Sequence, residues 1–272
     1  MTCITARDGT GLYRRDRGQG RPVVLIHGWP LSGDSREFLS VRLAGAGFRV
    51  IACDRRGFGR SDQPFCGDDF DTLADDLAAI LTRLSLDDVA LAGFSMGGGE
   101  GARSLSRHAD KGVSRAVLIS SVVPMLQDGG RGAGVDPDDL QAIKDGLRAG
   151  RPAFVETFLR IFYGNGVFGG GVSDAMLDWS LQMALRASPK ATLDCATAFG
   201  TTDFRPDLAS FHLPTLVLHG TAAGTVPVEA TAHEAVRLLP AAKLIDHEGG
   251  AHGIIATHAD PLFSDLLAVL TA

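Results

Sequence analysis

Long apolar runs, a basic excess and paired cysteines are all missing from this 272-residue chain, and each absence removes a class of function. No stretch is apolar enough for long enough to span a bilayer, and the start Met1-Thr2-Cys3-Ile4-Thr5-Ala6-Arg7-Asp8 has no apolar core behind a basic segment. Neither a membrane span nor a secretory leader is expected, and a cytoplasmic location is predicted. Lys and Arg number 26 against 32 Asp and Glu, a formal net charge of −6. That balance gives no broad electrostatic reason to bind nucleic acid or an anionic membrane, so a small neutral partner fits better. The four cysteines, Cys3, Cys53, Cys66 and Cys195, have neither CxxC spacing nor clustered histidines, which points to free thiols and away from zinc or a redox pair. Internal repeats are absent as well.

What is present is 45% hydrophobic and 21% charged, the balance of a globular protein, and the length suits one α/β domain over residues 1–272. Apolar runs rich in Val, Ile and Leu recur at 23–26, 49–52, 89–92, 116–119, 215–218 and 243–245. They do not alternate, so they read as strands buried on both faces. Helical patterns lie between them, at 72–84 with Leu73, Leu77, Ile80 and Leu81 on one face, and at 96–107. Strand and helix in turn imply right-handed crossovers and a doubly wound, mostly parallel sheet. The strand rhythm stops after 119 and resumes near 215, which predicts a helical cap inserted at about 122–207. Its Phe154, Phe158, Phe162 and Phe199 fit either cap packing or the lining of an apolar acyl pocket. Gly164-Asn165-Gly166-Val167-Phe168-Gly169 matches a dinucleotide fingerprint but neither follows a strand nor opens a helix, so it reads as a cap loop.

Three motifs carry chemistry. Gly93-Phe94-Ser95-Met96-Gly97 follows a strand and precedes a helix, the setting in which GxSxG forms a nucleophile elbow. The turn is tight, so glycine is needed two residues away on each side of Ser95, and the helix N-terminus adds positive potential. His27-Gly28-Trp29-Pro30 ends the strand at 23–26, and the backbone amides of Trp29 and Met96 are candidates for an oxyanion hole. Gly249-Gly250-Ala251-His252-Gly253 follows the last strand, and the chain order serine, acid, histidine makes His252 the candidate general base. His108, His212, His233 and His258 are expected to be solvated or structural, and His247 a satisfied strand-end residue.

Together these segments resemble the cofactor-free haloperoxidase and perhydrolase branch of the α/β hydrolases, which includes aryl esterases and γ-lactam hydrolases. The likeness spans nearly the whole chain and rests on Arg7-Asp8-Gly9-Thr10, His27 through Leu31, Asp54-Arg55-Arg56-Gly57-Phe58-Gly59-Arg60-Ser61, Gly93 through Glu100, Thr202-Asp203-Phe204, His219-Gly220 and Val226-Pro227. It implies Ser95 as nucleophile, His252 as base, the Trp29 and Met96 amides as oxyanion hole, and no metal or organic cofactor. It further implies that Pro30 holds the Trp29 carbonyl where hydrogen peroxide can replace water. A pocket of Pro30, Phe94, Phe158, Phe162 and Val226 for a small ester or lactam is expected with it, as is a homo-oligomer.

One position breaks the pattern. The family carries its acid just before Val-Pro, whereas here the loop runs Gly220-Thr221-Ala222-Ala223-Gly224-Thr225-Val226-Pro227, with Ala223 in the acid's place. A methyl group accepts no hydrogen bond from His252 Nδ1, so slow turnover is expected. Three readings stay open: an acid deliberately replaced in an otherwise intact enzyme, an acid displaced to another strand end, and a chain that has left triad hydrolysis for apolar-ligand binding or proton transfer. At the alternative strand end stand Ser120, Ser121 and Val122, with Asp128 several residues on. Arg36 also departs, standing where the family usually has an aromatic, and Ala251 stands where proline usually precedes the histidine.

Overall fold

The computed structural model describes residues 3–108, 112–127, 134–166 and 171–271. Its eight strands are β1 (Cys3–Thr5), β2 (Gly11–Arg17), β3 (Pro22–Ile26), β4 (Arg49–Cys53), β5 (Val89–Phe94), β6 (Val113–Ile119), β7 (Thr215–Gly220) and β8 (Lys243–His247). They form one sheet in the order β1-β2-β4-β3-β5-β6-β7-β8. From β4 to β8 every pairing is parallel, while β1 and β2 attach antiparallel at one edge. The helices are α1 (Glu37–Gly45), α2 (Phe70–Arg83), α3 (Met96–His108), α4 (Pro137–Tyr163), α5 (Asp174–Leu185), α6 (Pro189–Thr201), α7 (Arg205–Leu208), α8 (Glu234–Leu238), α9 (Ile254–Thr257) and α10 (Ala259–Thr271).

The absence of alternation in the central strands has a direct cause. Val23 and Leu25 of β3 enter one apolar layer with Leu39 and Leu43 of α1 and Leu262 and Leu266 of α10, while Val24 and Ile26 enter a second layer with Leu77 and Ile80 of α2 and Leu105 of α3. Successive side chains point to opposite faces, so a strand covered on both sides must be apolar throughout. The α2 helix starts at Phe70 because Asp69 accepts the Thr72 amide at 2.9 Å and caps it.

The edge pair β1 and β2 lies outside the apolar pattern. Its longer strand reads Gly-Leu-Tyr-Arg-Arg-Asp-Arg, and Asp16 accepts from Arg14 and, at two points, from Arg49 of β4. Charge suits a strand whose outer edge meets water, and it conceals the strand from a search for apolar runs. Among the described residues between β6 and β7 the chain makes α4 to α7 and no strand. The α4 helix breaks at Gly150, ahead of Pro152, so it packs as two helical pieces.

Candidate active site

Ser95, the candidate nucleophile, is the only residue between β5 and α3. Ser95 holds φ at +54°, an uncommon value for a side chain bearing Cβ. The conformation is pinned on both sides: the Ser95 amide donates to the Ile119 carbonyl at 2.8 Å, and its carbonyl accepts from Gly98 at 2.9 Å. A Cβ on Gly93 would lie 2.3 Å from the Gly97 carbonyl oxygen, and one on Gly97 would lie 2.6 Å from the Ile26 carbonyl oxygen. Both obstacles are backbone, so the turn closes only with glycine at both places. Ser95 therefore stands above the N-terminus of α3, whose unpaired amides favour negative charge.

His252 reaches the serine from the loop after β8. Gly250 donates to the His247 carbonyl at 3.0 Å and Gly253 to the Phe162 carbonyl at 2.8 Å, which ties the loop to both β8 and α4. The His252 Nε2 atom lies 3.0 Å from Ser95 Oγ. The ring is buried, with Phe94 and Phe162 each 5.0 Å away between centroids. Burial pushes the imidazole pKa well below its ordinary value, and the positive charge of Arg36 pushes the same way.

Position 223 lies in the turn after β7. Ala222 donates to the Gly250 carbonyl at 2.9 Å and Ala223 to the Gly220 carbonyl at 3.2 Å, so this turn packs on the histidine loop. Ala223 is buried, and the His252 Nδ1 atom is buried without a hydrogen-bond partner among the described residues. At the end of β6, Ser121 Oγ accepts from the Val123 amide at 3.2 Å and Ser120 Oγ is buried unpartnered. Neither supplies a carboxylate, and Asp128 lies outside the described residues.

The loop after β3 completes the site. A Cβ on Gly28 would meet the Phe94 ring at 2.6 Å and Ser95 Cβ at 3.0 Å, so glycine lets this loop press against the elbow. The Trp29 indole donates to the Thr192 carbonyl at 3.0 Å and packs on Phe158 and Phe199. The peptide bond to Pro30 is cis. Neither the Trp29 nor the Met96 amide donates to a backbone carbonyl among the described residues. Beneath them, buried Arg55 binds Glu100 of α3 and the His27 carbonyl, both at 2.8 Å, while the Arg55 amide donates to His27 Nε2 at 3.0 Å. Arg55 thus ties the end of β3 to α3.

Ser95 and His252 open into a cavity of about 280 Å³. Its walls are mainly apolar: Trp29, Leu126, Leu140, Ile143, Phe154, Phe158, Phe199 and Val226. Among the pocket residues expected from sequence, Phe158 and Val226 line this cavity, Phe94 and Phe162 line a neighbouring one, and Pro30 lines neither. The Phe94 ring packs instead against Arg36, Phe162 and His252. Leu140 and Ile143 were not anticipated; their helical spacing on α4 was the available signal. Part of the Gly-rich stretch 164–169 lies outside the described residues. Among the described residues no group of three or more His, Cys, Asp or Glu is placed to hold a metal ion, and no helix is long and apolar enough to cross a membrane.

The family model described as "alpha/beta hydrolase fold" matches residues 21–259. The chain is 40% identical over 261 residues to the non-heme chloroperoxidase CPO-A1 of Kitasatospora aureofaciens, covering 96% of this chain and 95% of that one. It is 35% identical over 275 residues to the bifunctional esterase/perhydrolase DCH of Acinetobacter calcoaceticus, covering 99% of each. The crystal structure of a bromoperoxidase from Bacillus anthracis superimposes with a TM-score of 0.94 at 40% identity, over 99% of this chain and 100% of that one.

Proposed function

Because the chain belongs to the alpha/beta hydrolase fold family, we propose that it is a serine-dependent acyl hydrolase acting on a small apolar ester or lactam, slowed by the alanine at position 223. The observation that carries the proposal is the 3.0 Å approach of His252 Nε2 to Ser95 Oγ at the foot of a largely apolar cavity. In the reaction Ser95 Oγ attacks the substrate carbonyl carbon as His252 Nε2 takes the hydroxyl proton. The carbonyl oxygen becomes an oxyanion that the Trp29 and Met96 amides and the α3 dipole stabilise. His252 returns the proton to the leaving group, and water, deprotonated in the same way, releases the acid.

Hydrogen peroxide in place of water would give a peracid, a route consistent with the esterase/perhydrolase named among the relatives. A fluorophosphonate probe should add to Ser95, and mass spectrometry should place the adduct on the peptide containing it. If a folded Ala223→Asp variant also fails to label, the assignment falls.

One observation favours a second reading, a non-hydrolytic protein that holds a small apolar ligand or transfers protons: His252 Nδ1 has no acceptor among the described residues to orient it. That reading predicts ligand affinity unchanged by Ser95→Ala and no acyl adduct with an activated ester.

A further inference from the structure

The wall of the acyl cavity is apolar at its base and carries an acid where it meets water. Ser95, His252, Trp29 and Phe199 are buried at the base, whereas Asp139, Thr157 and Ile161 on the same wall are exposed and mark its mouth. No Lys or Arg lines the cavity, and Asp139 is the one Asp or Glu among its lining residues. Asp139 stands in the first turn of α4, four residues before Ile143, so the two share a helix face that borders the cavity. Further along α4, Asp145 is engaged by Gln141 and Arg148. The Asp139 carboxylate has no such hydrogen bond or ion pair with a described residue, and no described cation offsets it.

A substrate with its carbonyl at Ser95 lays its chain along the apolar wall and brings its far end out at the mouth. A charge on the chain would be costly against Trp29 or Phe199, where nothing pairs it, but at the mouth it keeps its water. There a cationic end meets the Asp139 carboxylate favourably, and an anionic end is repelled with no wall cation to relieve it. We propose that Asp139 sets the charge preference of the cavity, favouring esters whose far end carries an ammonium group over those that end in a carboxylate. This rests on the acyl cavity being the place where the ester binds. Because the mouth is open to water, the preference is a matter of a few-fold and belongs to binding, not to the chemical step.

The test is isothermal titration, at low ionic strength, of three methyl esters into Ser95→Ala, which cannot be acylated. They are the ester of hexanoic acid with a terminal trimethylammonium group, its uncharged tert-butyl counterpart, and the monomethyl ester of suberic acid. Adding Asp139→Asn should weaken the cationic ester about threefold, tighten the anionic one about threefold and leave the uncharged one unmoved, and both shifts should fade in about 1 M salt. Asp138→Asn removes a charge from the same turn but off the cavity wall, so it should move the charged esters much less. Affinities that ignore Asp139→Asn, an uncharged ester that shifts as far as the charged ones, equal shifts from Asp138→Asn, or no saturable binding of any ester would each overturn the proposal. Acyl transfer is judged separately, by labelling of Ser95 in the unaltered chain.

Discussion

A carboxylate at position 223 should change both the rate and the pH dependence of the enzyme. For His252 to take the Ser95 proton at Nε2, its own proton must sit on Nδ1, and that atom is buried with no acceptor among the described residues. Leaving a buried donor unpaired costs about 1–3 kcal/mol, so the opposite tautomer, donating from Nε2 to Ser95 Oγ, is favoured and is the wrong one for a base. The imidazolium formed during attack then lacks a counter-charge, which adds to the barrier. Loss of the acid in related triads costs about ten-thousand-fold in turnover, roughly 5 kcal/mol. Ala223→Asp should therefore raise kcat for p-nitrophenyl acetate by about a hundredfold to ten-thousandfold, short of the maximum if the new carboxylate is imperfectly placed.

The direction of the pH effect is independent of that magnitude. In the present chain burial holds the His252 pKa well below 6.5, so the base is neutral and the rate stays flat down to acid pH. A carboxylate favours the charged ring and raises its pKa, so the acid limb of kcat for Ala223→Asp should move toward neutrality. A folded variant whose kcat stays within about threefold and whose acid limb does not move would refute the reasoning.

Other outcomes follow from the same geometry. His27, His219 and His252 are buried and their pKa values lie below 6.5 in the folded state, with burial the leading cause and His219 at about 4. Unfolded histidines bind protons below pH 6.5 and these do not, so their contribution is complete above that pH and lost as pH falls; for His219 alone the loss by pH 4 is roughly 3 kcal/mol. Urea titrations from pH 7 to pH 4 should show this decline, and stability that rises on acidification contradicts it. Glu100→Gln leaves the Arg55 guanidinium buried without its counter-ion, at a cost of about 3–5 kcal/mol, and calorimetry should find Tm lowered by on the order of 10 °C.

The central strands β3 to β7 were readable because burial on both sides leaves an uninterrupted apolar run, and the edge strand β8 was readable only from the short apolar pair Leu244 and Ile245. β1 and β2 were not, because Arg14, Arg15, Asp16 and Arg17 satisfy an exposed edge with charge and erase the pattern. The meeting of Ser95 and His252 at 3.0 Å was readable because steric demands leave glycine as the only residue around the elbow and the histidine loop follows the last strand. The walls of the cavity were harder. Which face of α4 meets Ser95 depends on the break at Gly150, and Phe94 and Phe162 pack on His252 and on each other instead of lining the cavity. Nothing in the local sequence announces that Arg36 is buried, since Gly33 to Glu37 reads as an ordinary polar turn.

Arg36 also bears on how far a restored acid can carry catalysis. Its guanidinium carbon lies 4.3 Å from the Phe94 centroid and the His252 centroid lies 5.0 Å from the same ring. The two groups are thus within about 9 Å of each other, and at an effective dielectric of about 20 a cationic His252 is repelled by roughly 2 kcal/mol. That repulsion raises the barrier when the imidazolium forms, on the order of tenfold in rate, and it acts whether or not an acid is present. Replacing the guanidinium by an uncharged ring of similar bulk removes it and keeps the contact with Phe94. The double variant Ala223→Asp, Arg36→Phe should therefore exceed Ala223→Asp in kcat by about tenfold, with a further upward move of the acid limb. Equal rates in the two folded variants, measured at low ionic strength, would mean that the cation is already neutralised or that its field does not reach the base.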